Sequence, residues 1–265
     1  MKLGIIGCGN MGSAIAGGIL SRRIFSFGNI YVSDKDSART RALYRKYGIR
    51  VGTNEDVAKK CDIIIIAVKP QDAATLLASI ADHLDDSKHL VSIMAGITIA
   101  RIEGIIGKEV AVTRAMPNMA ALVGKSITAL SHNKAVKTGS MVNRIFSSVG
   151  EAVEINEKKM DAVTAVSGSA HAYFCYLTEA LRESAVKLGI KRELAAKLAS
   201  AALDGSGALL ETLGHPPEIL RKLVTSKKGT TEAAVDVFKA KGFEKIVVEA
   251  VKAAAKRSAE LSRGA

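Results

Sequence analysis

The sequence predicts an α/β fold, with a doubly wound sheet over residues 1–156 and an all-helical region over residues 157–265. Three observations carry this expectation. The chain opens with a strand, a glycine loop, a helix and a second strand between Lys2 and Asp34. Short apolar runs rich in β-branched residues then alternate with helical stretches as far as Ile155. From Lys158 onward the apolar spacing is helical and no convincing strand occurs.

The first of these is the most informative. Leu3 to Ile6 suits a buried parallel strand, and it runs directly into Gly7-Cys8-Gly9-Asn10-Met11-Gly12, a G-x-G-x-x-G loop. Behind it, Met11, Ile15 and Ile19 recur at helical spacing, with small Ala14, Ala16, Gly17 and Gly18 between them. Ile30-Tyr31-Val32 then forms a second strand ending at Ser33-Asp34. In a Rossmann-type unit the first glycine permits the tight turn. The second lets backbone approach a pyrophosphate, and the third lets helix and strand pack closely. Free N–H groups at the helix start face the phosphate charge. A glycine-rich turn that only packs is the competing reading, and Asp34 at the end of the next strand argues for dinucleotide binding instead.

The elements that follow keep the alternation. Ser37 to Tyr47 reads as a polar helix closed by Gly48, Ile49 to Val51 as a brief strand, and Asn54-Glu55-Asp56 as a helix start. Cys61 to Val68 is a continuous buried strand that stops at Lys69-Pro70, where proline ends sheet pairing. A helix over Ala73 to His83, a strand over Leu90 to Met94, a helix near Ile99 to Ile106 and a strand over Val110 to Thr113 come next. The loop Arg114-Ala115-Met116-Pro117-Asn118, the segment Gly124 to Leu130, a helix around Thr138 to Ser147 and Ala152 to Ile155 complete this half. In the second half, Leu177, Leu181, Ser184 and Leu188 share a helix face closed by Gly189. Leu194, Leu198, Ala201 and Ala202 begin another helix, Ile219 to Val224 a short one, and Phe243 to Leu261 a long one. These Ala-rich helices carry thin apolar stripes, which predicts that they complete their core against a second subunit.

Composition narrows the function. A formal charge of +12 is spread along the chain, with no aromatic-studded basic strand and no zinc-finger spacing. That argues against nucleic acid and for anionic ligands such as a phosphorylated cofactor or a carboxylate substrate. Cys8, Cys61 and Cys175 are odd in number and far apart, which predicts a reducing, cytoplasmic setting without disulfides or a metal site. The chain begins directly with strand and loop, and no apolar run is long enough to span a bilayer, so neither a signal peptide nor a membrane partner is expected.

Three strand ends carry candidate cofactor residues, because ligands in open α/β sheets lie beyond the carboxyl ends of the strands. They are Ile6 with the glycine loop, Ala67-Val68-Lys69-Pro70, and the loop ending at Asn118. For Lys69 the competing reading is a solvated loop lysine, and for Asn118 a turn residue or helix cap. In the helical half, Ser167-Gly168-Ser169-Ala170-His171-Ala172-Tyr173 and Thr225-Ser226-Lys227-Lys228-Gly229-Thr230-Thr231 each open a helix. Simple capping explains both, and the same free N–H groups would also hold a substrate carboxylate. Neither stretch holds an acid–base dyad, a Ser-His-Asp set or metal-ligand spacing. Hydride transfer needs little more than orientation, anion capture and a proton.

The segments GCGNMG, AVKP, RAMPN, SGSAHAY, TSKKGTT and KGFEKIVVEAVKAAAKRS, in this order, resemble the pyrroline-5-carboxylate reductase family over essentially the whole chain. The resemblance implies reduction of the cyclic imine 1-pyrroline-5-carboxylate to L-proline with NADPH or NADH. It also implies an interleaved homodimer, often assembled further. By residue, it implies cofactor contacts at Gly7, Cys8, Gly9, Asn10, Met11, Gly12, Ser33, Asn54 and Ala67 to Pro70. Ser226 to Thr231 would hold the substrate carboxylate, including Gly229 and Thr230, with the Thr231 hydroxyl near the ring nitrogen. Ser169 joins the substrate side and Thr231 is the catalytic candidate.

Two departures fall on the substrate side. The family usually has SGSGPAY where this chain has Ser167 to Tyr173, and a Pro-Gly pair where it has Lys227-Lys228. They keep open a reductase of another cyclic imine or keto acid, and a non-catalytic dinucleotide sensor is the rival of another class. For the cofactor, Asp34 follows the rule for ribose hydroxyls and NAD, whereas Lys35 and Arg39 beside it suit a 2′-phosphate. The positive balance of the chain favours NADPH.

Overall fold

The computed structural model describes residues 1–264, with side chains through residue 261. Its strands are β1 (Leu3–Ile6), β2 (Ile30–Ser33), β3 (Arg50–Val51), β4 (Ile63–Ile66), β5 (His89–Ser92), β6 (Ala111–Met116), β7 (Ser126–His132) and β8 (Gly150–Glu154). Among the described residues they form one sheet in the order β3-β2-β1-β4-β5-β6-β7-β8. Neighbours from β3 to β6 pair parallel, as do β7 and β8, but β6 and β7 pair antiparallel. The last two strands therefore run against the rest. Pro117 to Lys125 connects β6 to β7 through only a 3₁₀ turn, Met119–Val123, too short for the crossover that a parallel pair requires.

Helices cover both faces of this sheet: α1 (Asn10–Ser21), α2 (Ser37–Tyr47), α3 (Asn54–Lys60), α4 (Ala73–Ile80), α5 (Ile99–Ile106) and α6 (Ser140–Ser147). Alternate residues of β4 point to opposite sides. Ile64 and Ile66 pack with Val57, Leu77, Ile80 and Ile102 from α3, α4 and α5. Ile63 and Ile65 pack with Ile15, Ile19, Ile145 and Phe146 from α1 and α6. The α2 helix starts at Asp36, whose carboxylate accepts from Ala38 N–H at 2.9 Å, and stops at Gly48 in the left-handed region.

The chain divides into two compact units at Gly168, and residues from Ala254 onward rejoin the first unit. The change in sequence periodicity at residue 156 marks the end of the sheet; the compact unit continues past it. Glu157 Oε1 accepts from Ile99 N–H at 2.8 Å and from the Arg114 guanidinium at 3.2 Å. Met160, in the short helix α7 (Met160–Val163), is fully buried, and Ser258 donates to Asp161 at 2.7 Å. These contacts bind the segment after the sheet to the sheet unit. A π-helical turn over Thr164–Gly168 leads out of it.

The second unit, Ser169–Ala253, holds α8 (Ala170–Lys187), α9 (Arg192–Leu213), α10 (Pro217–Leu223), α11 (Thr230–Ala240) and the first part of α12 (Phe243–Gly264). Helices α8 and α9 form a hairpin clamped by Arg192, which bonds both carboxylate oxygens of Glu183 at 2.7 and 3.0 Å. Across α8 to α11, Ala195 and Ala199 are the buried residues. Large apolar side chains stay uncovered, including Phe174, Tyr176, Leu177, Leu181 and Val237.

Candidate active site

Strand β1 lies between β2 and β4, the point at which strand order reverses, and this opens a crevice beyond the strand ends. Two backbone bonds tie the three ends together: Gly7 N–H to Ser33 O at 2.8 Å, and Ala67 N–H to Ile6 O at 2.7 Å. The loop then turns sharply, with Gly7 at φ +102°, where any Cβ would stand 2.5 Å from the Ala67 carbonyl oxygen. A Cβ on Gly12 would strike the Gly7 carbonyl oxygen. The geometry thus requires glycine at both positions, and the shape left is a phosphate cradle. Gly9 is the backbone cap of α1 and no side chain caps that helix, so its first amides are open to an anion.

A cleft of about 550 Å³ lies over this loop. Of the residues expected to meet the cofactor, Ile6, Gly7 and Gly9 line it from β1, and Asp34, Lys35 and Asn54 from the β2 side. Ala67, Val68 and Lys69 line it from the end of β4. Cys8, Asn10, Ser33 and Pro70 adjoin lining residues in the chain, and Met11 and Gly12 follow in the first turn of α1; none of the six lines the cleft. Ser33 instead donates its hydroxyl to Asn54 Oδ1 at 2.7 Å, fixing one side chain of the wall. Cys8 is buried, with its thiol pushed up to about 12 by burial and then by the Asp34 charge, against a smaller pull from Arg39. It remains a protonated filler of the turn.

Asn118 is not among the residues that line this cleft. It is buried, its Oδ1 accepts from Ala120 N–H at 3.1 Å, and its Nδ2 donates to Ser167 Oγ at 2.9 Å. It bolts the loop after β6 to the segment leading out of the sheet unit. Conversely, Asp72, Thr75, Leu76 and Ser79 line the cleft and escaped the sequence reading. Their spacing of three, four and seven residues marks one helix face just past Lys69-Pro70, a pattern that could have found them.

In the second unit, Ser226 to Gly229 forms a tight turn, with Gly229 N–H bonded to Ser226 O at 3.0 Å. Lys228 sits at φ +58°, the left-handed region that a glycine would occupy without strain. Its N–H donates to Glu232 Oε2 at 2.5 Å, which holds the turn against the first coil of α11. The two lysines therefore make the kind of turn a Pro-Gly pair favours, at a backbone cost. Gly229 caps α11 without a side-chain bond, leaving the amides of Thr230 and Thr231 without a side-chain acceptor. Ser169 takes the same position on α8, again with no side-chain cap. Beyond it, His171 Nδ1 and Tyr173 Oη are buried without hydrogen-bond partners.

A glycine cradle at the switch point of a doubly wound sheet, followed by a helical unit, defines an NAD(P)H-dependent oxidoreductase of the Rossmann type. Comparison with known proteins narrows the class. Residues 2–96 match the model of NADP oxidoreductases described as coenzyme F420-dependent, and residues 157–261 match that of pyrroline-5-carboxylate reductase dimerisation. The pyrroline-5-carboxylate reductase of Synechocystis sp. is 39% identical, over 99% of this chain and 99% of the relative. That of Escherichia coli K12 is 37% identical over 99% and 98%. Among solved structures, the Plasmodium falciparum pyrroline carboxylate reductase with NADP bound superposes with a TM-score of 0.85 at 34% identity, covering 99% of this chain and 98% of that one. The Coxiella burnetii pyrroline-5-carboxylate reductase superposes with a TM-score of 0.92 at 28% identity, covering 98% of each. This chain belongs to the pyrroline-5-carboxylate reductase family. Its dimerisation region makes it a homo-oligomer, and among the described residues no helix is long and apolar enough to cross a membrane.

Proposed function

We propose that the protein reduces 1-pyrroline-5-carboxylate to L-proline, the last reduction in making proline. The observation that carries this reading is family membership along the full chain, with the glycine cradle intact at its head. NADPH, when bound, supplies the hydride that reduces the C=N bond. The chain's own residues bind and orient. Gly7 to Gly12 and the open amides of α1 take the pyrophosphate, and the β2 and β4 ends wall the cleft. The open amides at the start of α11 and the Ser226 hydroxyl take the substrate carboxylate, with Ser169 at the start of α8 on the same side. The Thr231 hydroxyl attends the ring nitrogen, where reduction leaves an amine carrying a proton. Three free cysteines, two of them buried, support a reducing, cytosolic setting.

The test is a steady-state assay with 1-pyrroline-5-carboxylate and each reduced cofactor, with proline identified as product. A homologous six-membered imine acid run beside it separates this reading from a related imine reductase. Turnover of neither imine with cofactor bound would leave a dinucleotide sensor. Thr231→Ala should lower turnover by about 10- to 1000-fold while cofactor affinity stays unchanged. Parent-like turnover in that variant would remove the hydroxyl from catalysis.

A further inference from the structure

A second cavity, of about 630 Å³, runs along α5 and shares no lining residue with the cofactor cleft. Asn133 and Lys134 at its edge follow β7, the strand that runs against the rest, so they stand at the amino end of the parallel strands. Its walls carry Glu103, Glu109, Glu157 and Lys134. An acidic lining alone assigns no ligand. The second observation is Arg114, whose side chain is only 4% exposed. Its Nη1 donates to Glu157 Oε1 at 3.2 Å, while its Nη2 is buried without a hydrogen-bond partner. Arg114 stands opposite Ser131 in the β6–β7 ladder, and directly opposed side chains leave the same face of a sheet. Ser131 lines the cavity, so the unpaired guanidinium nitrogen belongs to its floor. A buried donor of a charged group left unpaired is costly, and an acceptor at this place removes the cost.

We propose that this cavity is a binding site for an α-amino acid with a cationic side chain. The inference does not depend on the identity of the imine. The ligand's carboxylate accepts from Arg114 Nη2, with the Ser131 hydroxyl beside it. Its α-ammonium meets Glu157 and Glu103, which keep acceptor capacity, since an ionised carboxylate offers about four lone-pair sites. Glu103 Oε1 takes one bond, from Asn133 Nδ2 at 2.9 Å. Glu157 Oε1 takes two, from Arg114 and from Ile99 N–H at the start of α5. Three carboxylates, with Glu109 at the exposed rim, face the two cations of Lys134 and Arg114. A cationic side chain balances the surplus, whereas an acidic one adds repulsion. An inorganic anion would meet three like charges, and a simple amine would leave Arg114 unpaired.

Calorimetric titration of the full-length homo-oligomer, with NADPH in excess, tests this with L-arginine, agmatine (the same side chain without the carboxylate) and L-glutamate. L-arginine should bind in the millimolar range or tighter, and at least about tenfold more tightly than either of the others. Glu103→Gln should weaken L-arginine by about 3- to 30-fold. Arg114→Lys keeps a charge in the core but loses the planar fork, so it should weaken L-arginine about tenfold and agmatine less than about threefold. Thermal melts check that these variants fold. Should Arg114→Lys unfold, Glu103→Gln and Lys134→Gln at the rim carry the test, and each should lower L-arginine affinity. Agmatine binding as tightly as L-arginine would mean that Arg114 meets water only, and would overturn the proposal. Retained L-arginine affinity in Glu103→Gln, with loss in Thr231→Ala, would place the ligand at the substrate loop and overturn it as well. Absence of heat with L-arginine at millimolar concentration would leave the cavity to water and end the proposal outright.

Discussion

The two compact units solve the problem of burial in opposite ways. In the sheet unit, four successive isoleucines of β4, Ile63 to Ile66, are at most 4% exposed, and helices cover both faces. In the helical unit, α8, α10 and α11 contain no buried residue, and α9 buries only two alanines. Yet Phe174, Tyr176, Leu177 and Leu181 are as apolar as anything in the sheet. Uncovered apolar surface of this extent marks an interface, and the dimerisation model matched to residues 157–261 accounts for it. The sheet unit buries a core of its own on both faces of the sheet. The helical unit is half of a structure whose other half is a second copy.

The strongest way to break the contrast is to charge the uncovered face. Leu177→Glu with Leu181→Glu, one turn apart on α8, should leave the chain monomeric and melt much of the helical unit. Burial of each leucine is worth about 1.5–3 kcal/mol, and desolvating a carboxylate adds more, so no stable dimer should survive at micromolar concentration. Light scattering with far-ultraviolet circular dichroism reads both effects. A dimer of unchanged helicity would show that α8 faces solvent in the assembly.

In the sheet unit the matching lesion is Gly12→Ala. The added methyl strikes the Gly7 carbonyl, so the loop must shift by a substantial part of an ångström. Overpacking of this kind costs about 1–3 kcal/mol. The dimer should persist while NADPH affinity, read by quenching or calorimetry, falls at least tenfold. Unchanged affinity would mean that the cradle is not the phosphate site.

A third difference concerns acid. His89 and His132 share one hydroxyl: His89 Nε2 and His132 Nδ1 each lie 2.7 Å from Thr113 Oγ1. Burial, and then the neighbouring His132, push the His89 imidazole down to about 4. The unfolded chain therefore takes up this proton first, and the stability linked to it is complete above pH 6.5. It is lost as pH falls from 6.5 towards 4, amounting to about 2 kcal/mol by pH 5. Denaturant titrations of the parent and His89→Asn at pH 7 and pH 5 should show the parent losing more. Equal losses would place the acid sensitivity elsewhere.

The smallest expected effect lies in the substrate loop. Lys228→Gly relieves the left-handed backbone at φ +58° and should stabilise the helical unit by about 0.5–1 kcal/mol, visible as a raised melting temperature. Lys227→Pro with Lys228→Gly should retain activity and flatten the dependence of KM on ionic strength, by a severalfold change at most. Equal salt slopes would mean that neither ammonium reaches the substrate. Lost activity would mean that the turn has another shape.

The sequence by itself determined most of the sheet unit. The succession of strands and helices, the glycine loop and the α2 boundaries at Ser37 and Tyr47 were legible because their causes are local: alternation of apolar runs and a left-handed glycine at 48. The end of β6 was not, since residues 114–116, expected as loop, continue the strand by pairing with β7. It also placed the helices of the second half, whose spacing of apolar residues is equally local. Tertiary structure alone decided three matters. The reversal of β7 depended on the length of a connection relative to sheet geometry. The bond from Asn118 to Ser167 depended on a neighbour 49 positions away. The bond that turns Asp34 towards Cys8 N–H depended on a loop 26 positions earlier. Local pattern fixes which residues reach a strand end. Which way a polar side chain then turns is set by the nearest unsatisfied donor in space, and a linear sequence does not contain that distance.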